Sequence, residues 1–143
     1  MNTGSPRGAI DRLVGTFTGS GSWHDSAGKA QAYKVAQAIG KTADGFEISF
    51  RHDFEDASVT EARFLMRWTT PVIFDVLVAD RMVGNGYCFN LYCHYHLALG
   101  DRFVQASYSL EGARMKVYGS STRNAEGRYI AWSEDLTRTM DDE

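Results

Sequence analysis

Polar and apolar residues alternate with a period of two along nearly the whole chain, which leaves room for little besides half-buried β-strands. Residues 46–54 carry the pattern most clearly. Phe46, Ile48, Phe50, His52 and Phe54 share one face, and Glu47, Ser49, Arg51 and Asp53 share the other. Residues 58–69 set Ala62, Phe64, Met66 and Trp68 opposite Glu61, Arg63 and Arg67, and residues 72–79 turn Phe74, Val76 and Val78 inward. Further strands are expected over residues 15–24, 30–39, 87–99, 102–110, 114–122 and 128–139, with Tyr33, Val35 and Ile39 together on one face of the second of these. Asp44-Gly45 reads as a turn that favours positive φ, and Gly84-Asn85-Gly86 as a turn or bulge. Only residues 6–14 suit a helix, with Pro6 in its first turn and Ile10, Leu13 and Val14 on one stripe.

About nine strands in sequence order, joined by short turns, must deal with two unpaired edges. Pairing the first strand with the last removes both, whereas a two-sheet sandwich needs crossovers for which the turns supply no chain. The expected fold is therefore all-β: a closed up-and-down antiparallel β-barrel of about nine to ten strands with a short N-terminal helix. At 143 residues the chain suits one domain. Within it we expect a loose tail at residues 1–5, the helix at 6–14, the barrel at 15–139 and a solvated acidic end at 140–143.

Fifteen basic against eighteen acidic residues give a net charge of −3, which argues against nucleic acid or an anionic membrane as partner. The longest aliphatic run, residues 76–79, is too short to cross a bilayer, and the polar start lacks a signal-peptide core. A cytoplasmic location is expected. Cys88 and Cys93, five apart in what reads as one strand, should face opposite ways and stay unpaired, as buried free thiols.

Leu13, Gly15, Phe17, Gly19 and Gly21 spell L-x-G-x-F-x-G-x-G at the head of the first strand. This resembles the G-x-W-x-G-x-G opening of the lipocalin-like (calycin) barrels, above all the small bacterial and nitrobindin-like members, with Phe17 in place of the usual Trp. The ending, Trp132-Ser133-Glu134-Asp135-Leu136-Thr137-Arg138, is similar to the closing strand of bacterial calycin-like proteins. The resemblance implies a helix plugging one end and a Gly-rich strand that bends at a barrel corner. The nitrobindin-like branch binds haem through a histidine near its C-terminus; no histidine follows His96, so that ligand does not carry over and no cofactor is expected.

Candidate chemistry is sparse. His52 lies among inward aromatics near a strand end, where it is either a hydrogen-bonded core histidine or a group that orients a ligand. Burial should lower its pKa unless a carboxylate pairs with it. His94 and His96 leave one face together and could share a metal as in cupin-type barrels, but the rest of that motif is missing. The more apolar series Tyr87, Phe89, Leu91, Cys93, Tyr95 and Leu97 should point inward, turning Cys88, Asn90, Tyr92, His94 and His96 outward, where they could serve a homodimer. Glu134 and Asp135 face opposite ways, and no matched acid–base pair is visible. The expected function is binding of a small hydrophobic or aromatic ligand, lined by Tyr33, Phe50, His52, Phe64, Trp68 and Tyr95. A small enzyme of isomerase, cyclase or lyase type, using His52 or an inward Tyr as acid or base, is the alternative, and the His94/His96 metal site a weaker one.

Overall fold

The computed structural model describes residues 8–123 and 128–139. The readings made for residues 1–5, Pro6 and the acidic end at 140–143 lie outside them. One short helix, α1 (Gly8–Asp11), precedes ten strands: β1 (Gly15–Asp25), β2 (Ala30–Lys41), β3 (Gly45–Phe54), β4 (Val59–Trp68), β5 (Ile73–Val78), β6 (Arg81–Phe89), β7 (Tyr92–Leu99), β8 (Arg102–Glu111), β9 (Arg114–Arg123) and β10 (Arg128–Arg138). Each strand pairs antiparallel with its sequence neighbours, and β1 pairs with β10 from Phe17↔Arg138 to Asp25↔Ile130, so the sheet is a closed barrel without edges.

The chain departs from the sequence reading mainly in the β6–β7 region. Residues 87–99 are not one strand. Asn90, with φ at 51°, turns the chain, and Phe89 pairs with Tyr92 across a two-residue loop. The spacing rule that separated Cys88 from Cys93 holds only within a single strand. Across the hairpin they are register partners, both buried, with their sulfurs 2.7 Å apart. The same turn reverses the facing of the residues before it. Cys88 points inward, and Tyr87 and Phe89, expected inside, are 36% and 57% exposed. Leu91 sits in the loop, half-buried against the core.

The preceding turn also moves. Gly84-Asn85-Gly86 lies inside β6, and the chain instead reverses at Ala79 and Asp80, with φ at 51° and 66°. Two successive positive values match the twist that a two-residue hairpin requires. Gly45 does begin a strand after the expected turn, but it is not among the positive-φ glycines. Close strand approach is what demands it: a Cβ there would lie 1.7 Å from the Met66 carbonyl oxygen.

A single apolar core fills the barrel from the end where β1 begins. Ile10 and Leu13 are fully buried there with Phe17, Phe46, Phe74, Met115 and Leu136. The helix ends at Asp11, before the expected Val14, and the Leu13 N–H closes on the Ile10 carbonyl at 2.9 Å. Arg138, from the end of β10, holds the segment between α1 and β1: Nη1 donates to the Val14 carbonyl at 2.6 Å and Nη2 to that of Arg12 at 2.8 Å. Its guanidinium carbon also sits 4.8 Å from the Phe17 ring centre.

Candidate ligand-binding site inside the barrel

The interior half away from α1 holds a cluster of polar groups, while buried Gln37 sits level with Phe17. Tyr33 on β2 and Glu134 on β10 flank β1, and their side chains meet above Gly21 of that strand. A Cβ on Gly21 would lie 2.6 Å from Glu134 Cγ and 2.9 Å from Tyr33 Cζ, so the last glycine of the L-x-G-x-F-x-G-x-G motif makes space for the contact. The Tyr33 hydroxyl donates to Glu134 Oε2 at 2.8 Å, and His52 Nε2 on β3 lies 3.3 Å from the same oxygen. The Glu134 side chain is 3% exposed and that of His52 15%.

From this cluster a chain of aromatic rings crosses the interior. Tyr33 and His52 centre 4.5 Å apart, His52 and Phe50 stack at 4.6 Å, and Phe50 meets Phe64 at 6.1 Å. Phe64 meets Tyr95 at 5.9 Å, and Tyr95 stacks on Tyr108 at 5.8 Å with their hydroxyls 3.0 Å apart. Five of the six residues singled out in the sequence, Tyr33, Phe50, His52, Phe64 and Tyr95, are thus in one continuous set of contacts. The sixth, Trp68, is elsewhere: it packs on Phe46 and Phe74, and its buried Nε1 has no hydrogen-bond partner.

Glu134 and Tyr108 went unnoticed as site residues. A signal for Glu134 was present, because it shares the inward phase of β10 with Trp132 and Leu136. The expectation that no acid–base pair exists is therefore corrected: His52 finds its carboxylate across β2 and β1, a pairing that no spacing within one strand reveals. Glu134 and Asp135 do face opposite ways, and Asp135 is held outside by Arg114 and Lys116. Those hydrogen bonds keep its carboxyl below the ordinary carboxylate value.

Burial raises the pKa of Tyr33, which the neighbouring Glu134 charge pushes further, and burial likewise raises those of Tyr95 and Tyr108. All three phenols therefore remain neutral donors at physiological pH. A phenol that ionises later in the fold than in the unfolded chain leaves stability constant below the unfolded value of 10.0 and removes it as pH rises beyond that. We expect phenolate absorbance of the native protein to lag that of the denatured chain, with stability falling above pH 10.0. Coincident titration curves would contradict this burial.

Tyr33→Phe deletes one donor to a buried carboxylate and nothing else. The expected loss is about 1–3 kcal/mol, read as a lower denaturant midpoint at unchanged slope. An unchanged midpoint would mean that the hydroxyl and carboxylate are not joined in solution.

On the outer wall, His94 Nδ1 lies 2.8 Å from the Ser107 hydroxyl, and burial followed by the His96 charge lowers its pKa. His96 stacks on Phe103 instead. Among the described residues no group of three or more His, Cys, Asp or Glu could hold a metal, so the pair gains no third ligand. An open groove of about 620 Å³ also runs outside, over β1 to β4, beside Thr16, Ala36, Ser49 and Arg63. Phe50 lines it, but none of Tyr33, His52 or Glu134 does.

No family model and no curated protein matches the chain. Solved structures do. The S-type phycobiliprotein lyase CPES from Guillardia theta aligns with a TM-score of 0.75 at 11% identity, over 93% of this chain and 92% of that one. Rv2717c from M. tuberculosis aligns at 0.70 and 11%, covering 92% and 98%. The designed barrel EF1p2_mFAP2b, bound to DFHBI, aligns at 0.52 and 14%, covering 92% and 98%. No described helix is long and apolar enough to cross a membrane. The chain has the fold of the lipocalin-like, calycin-type ten-strand barrels.

Proposed function

We propose that this barrel binds a small hydrophobic or aromatic molecule among the rings of Tyr33, His52, Phe50, Phe64, Tyr95 and Tyr108. The observation that carries the reading is the Tyr33–Glu134–His52 cluster at one end of that ring series. A carboxylate is costly to bury, and an interior serving only as core has no need of one. The designed neighbour bound to DFHBI is a barrel of this fold holding a small molecule, which supports the same use here. A panel of nonpolar dyes, with native mass spectrometry of the purified protein, tests the proposal. Saturable dye binding or a retained small molecule is expected. Failure of every dye, with no retained mass, would make the rings plain core.

The His52–Glu134 contact favours a second reading, an enzyme in which this pair moves a proton within the barrel. His52→Gln keeps the side chain's bulk and a donor but removes its titration. If affinity and turnover between about pH 5 and 8 are unchanged by it, His52 is structural and this reading falls. We further infer a single cytoplasmic domain that self-associates through its exposed Tyr87, Phe89 and Tyr92 face. A monomeric mass in sedimentation would remove that association.

A further inference from the structure

The polar end of the interior is built to accept hydrogen bonds. Both protein groups that reach Glu134, the Tyr33 hydroxyl and His52 Nε2, converge on Oε2. A carboxylate offers about four acceptor positions over its two oxygens. Oε1 receives no hydrogen bond from a described residue, yet it is not among the sealed polar atoms; Trp68 Nε1 alone is. Oε1 therefore has acceptor capacity that no described residue takes up. No lysine or arginine among the described residues pairs with Glu134, and the neighbouring basic side chains, Arg114 and Lys116, are spent on Asp135 outside the wall. Of the other buried polar side chains, the Tyr95 and Tyr108 hydroxyls bond to each other, Gln37 Nε2 lies 3.6 Å from Met115 Sδ, and the Asp25 carboxylate pairs with Arg128.

On the binding reading above, we propose that Glu134 selects the ligand through Oε1, and that the barrel takes aromatic molecules carrying a donor nitrogen: a protonated amine, an amidine or a ring N–H. The nitrogen donates to Oε1 while the aromatic body lies along His52, Phe50 and Phe64. A ligand carboxylate beside Glu134 would meet its charge, and no lysine or arginine among the described residues pairs with Glu134 to offset the repulsion. A charge-assisted bond to a shielded carboxylate is about twice as strong as a neutral one, so the preference should be visible in affinity.

Three probes with one naphthalene body isolate this choice: 1-naphthylmethylamine, 1-naphthalenemethanol and 1-naphthoic acid, titrated by calorimetry. The amine should bind at least about tenfold more tightly than the alcohol, and the acid most weakly. Glu134→Gln should erase the amine's advantage over the alcohol. Equal affinity for amine and alcohol, a preference for the acid, or an amine advantage that survives Glu134→Gln each overturns the assignment while leaving the binding barrel in place. If no probe binds and the nonpolar dyes also fail, the binding reading itself falls and takes this one with it. Should Glu134→Gln fold poorly, the order of the three probes on the unmodified protein decides alone.

Discussion

Replacing Gly19 with alanine should destabilise the barrel by at least about 3 kcal/mol, the upper end of what overpacking normally costs. Gly19 lies on the seam where β1 meets β10, in register with Leu136. A Cβ there would come within 2.1 Å of the Asp135 carbonyl oxygen and 2.8 Å of Leu136 Cα. Both are backbone atoms, so no rotamer change relieves the clash and the seam itself must part. Gly40→Ala is the matched control, because nothing lies within 4 Å of a Cβ at that position. There, alanine should be neutral or slightly stabilising, since it restricts the unfolded chain. Denaturant midpoints would show the difference, and amide exchange should locate the damage in β1 and β10. A Gly19→Ala protein as stable as the Gly40→Ala protein would mean that the strands do not close in this register.

Phe17→Ala should cost about 3–5 kcal/mol, the range for removing a large buried ring. Phe17 is fully buried in one cluster with Ile10 of the helix, Leu13, Met115 and Leu136. It also faces the Arg138 guanidinium that holds the Arg12 and Val14 carbonyls. Its loss should therefore loosen the segment that joins the helix to β1 at the same time as it opens a void. Against a total of about 5–15 kcal/mol for a domain, a substantial unfolded fraction at physiological temperature is expected. Calorimetry or circular dichroism on heating would read it as a large drop in midpoint. A loss below about 1 kcal/mol would show that the plugged end is not packed as described.

The sequence by itself determined the barrel. The alternation of Phe46, Ile48 and Phe50 with Glu47, Ser49 and Arg51 is a local property, because successive side chains on a strand must point to opposite faces. Nearly unbroken alternation with short turns then leaves edge closure as the solution, and Gly19 and Gly21 stand where neighbouring strands leave no room for a Cβ. It also placed Tyr33, Phe50, His52, Phe64 and Tyr95 inside, since phase within a strand is enough for that. Phase fails where a turn is hidden. Asn90-Leu91 carries no Asn-Gly signal, so Cys88 and Phe89 were given the wrong face. Only the tertiary structure decided which inward residues meet. Tyr33, His52 and Glu134 come from β2, β3 and β10, and their contact depends on β1 closing against β10 and on Gly21 having no side chain. A partner more than a hundred residues away along the chain is set by the register around the whole ring, and no local pattern records that register.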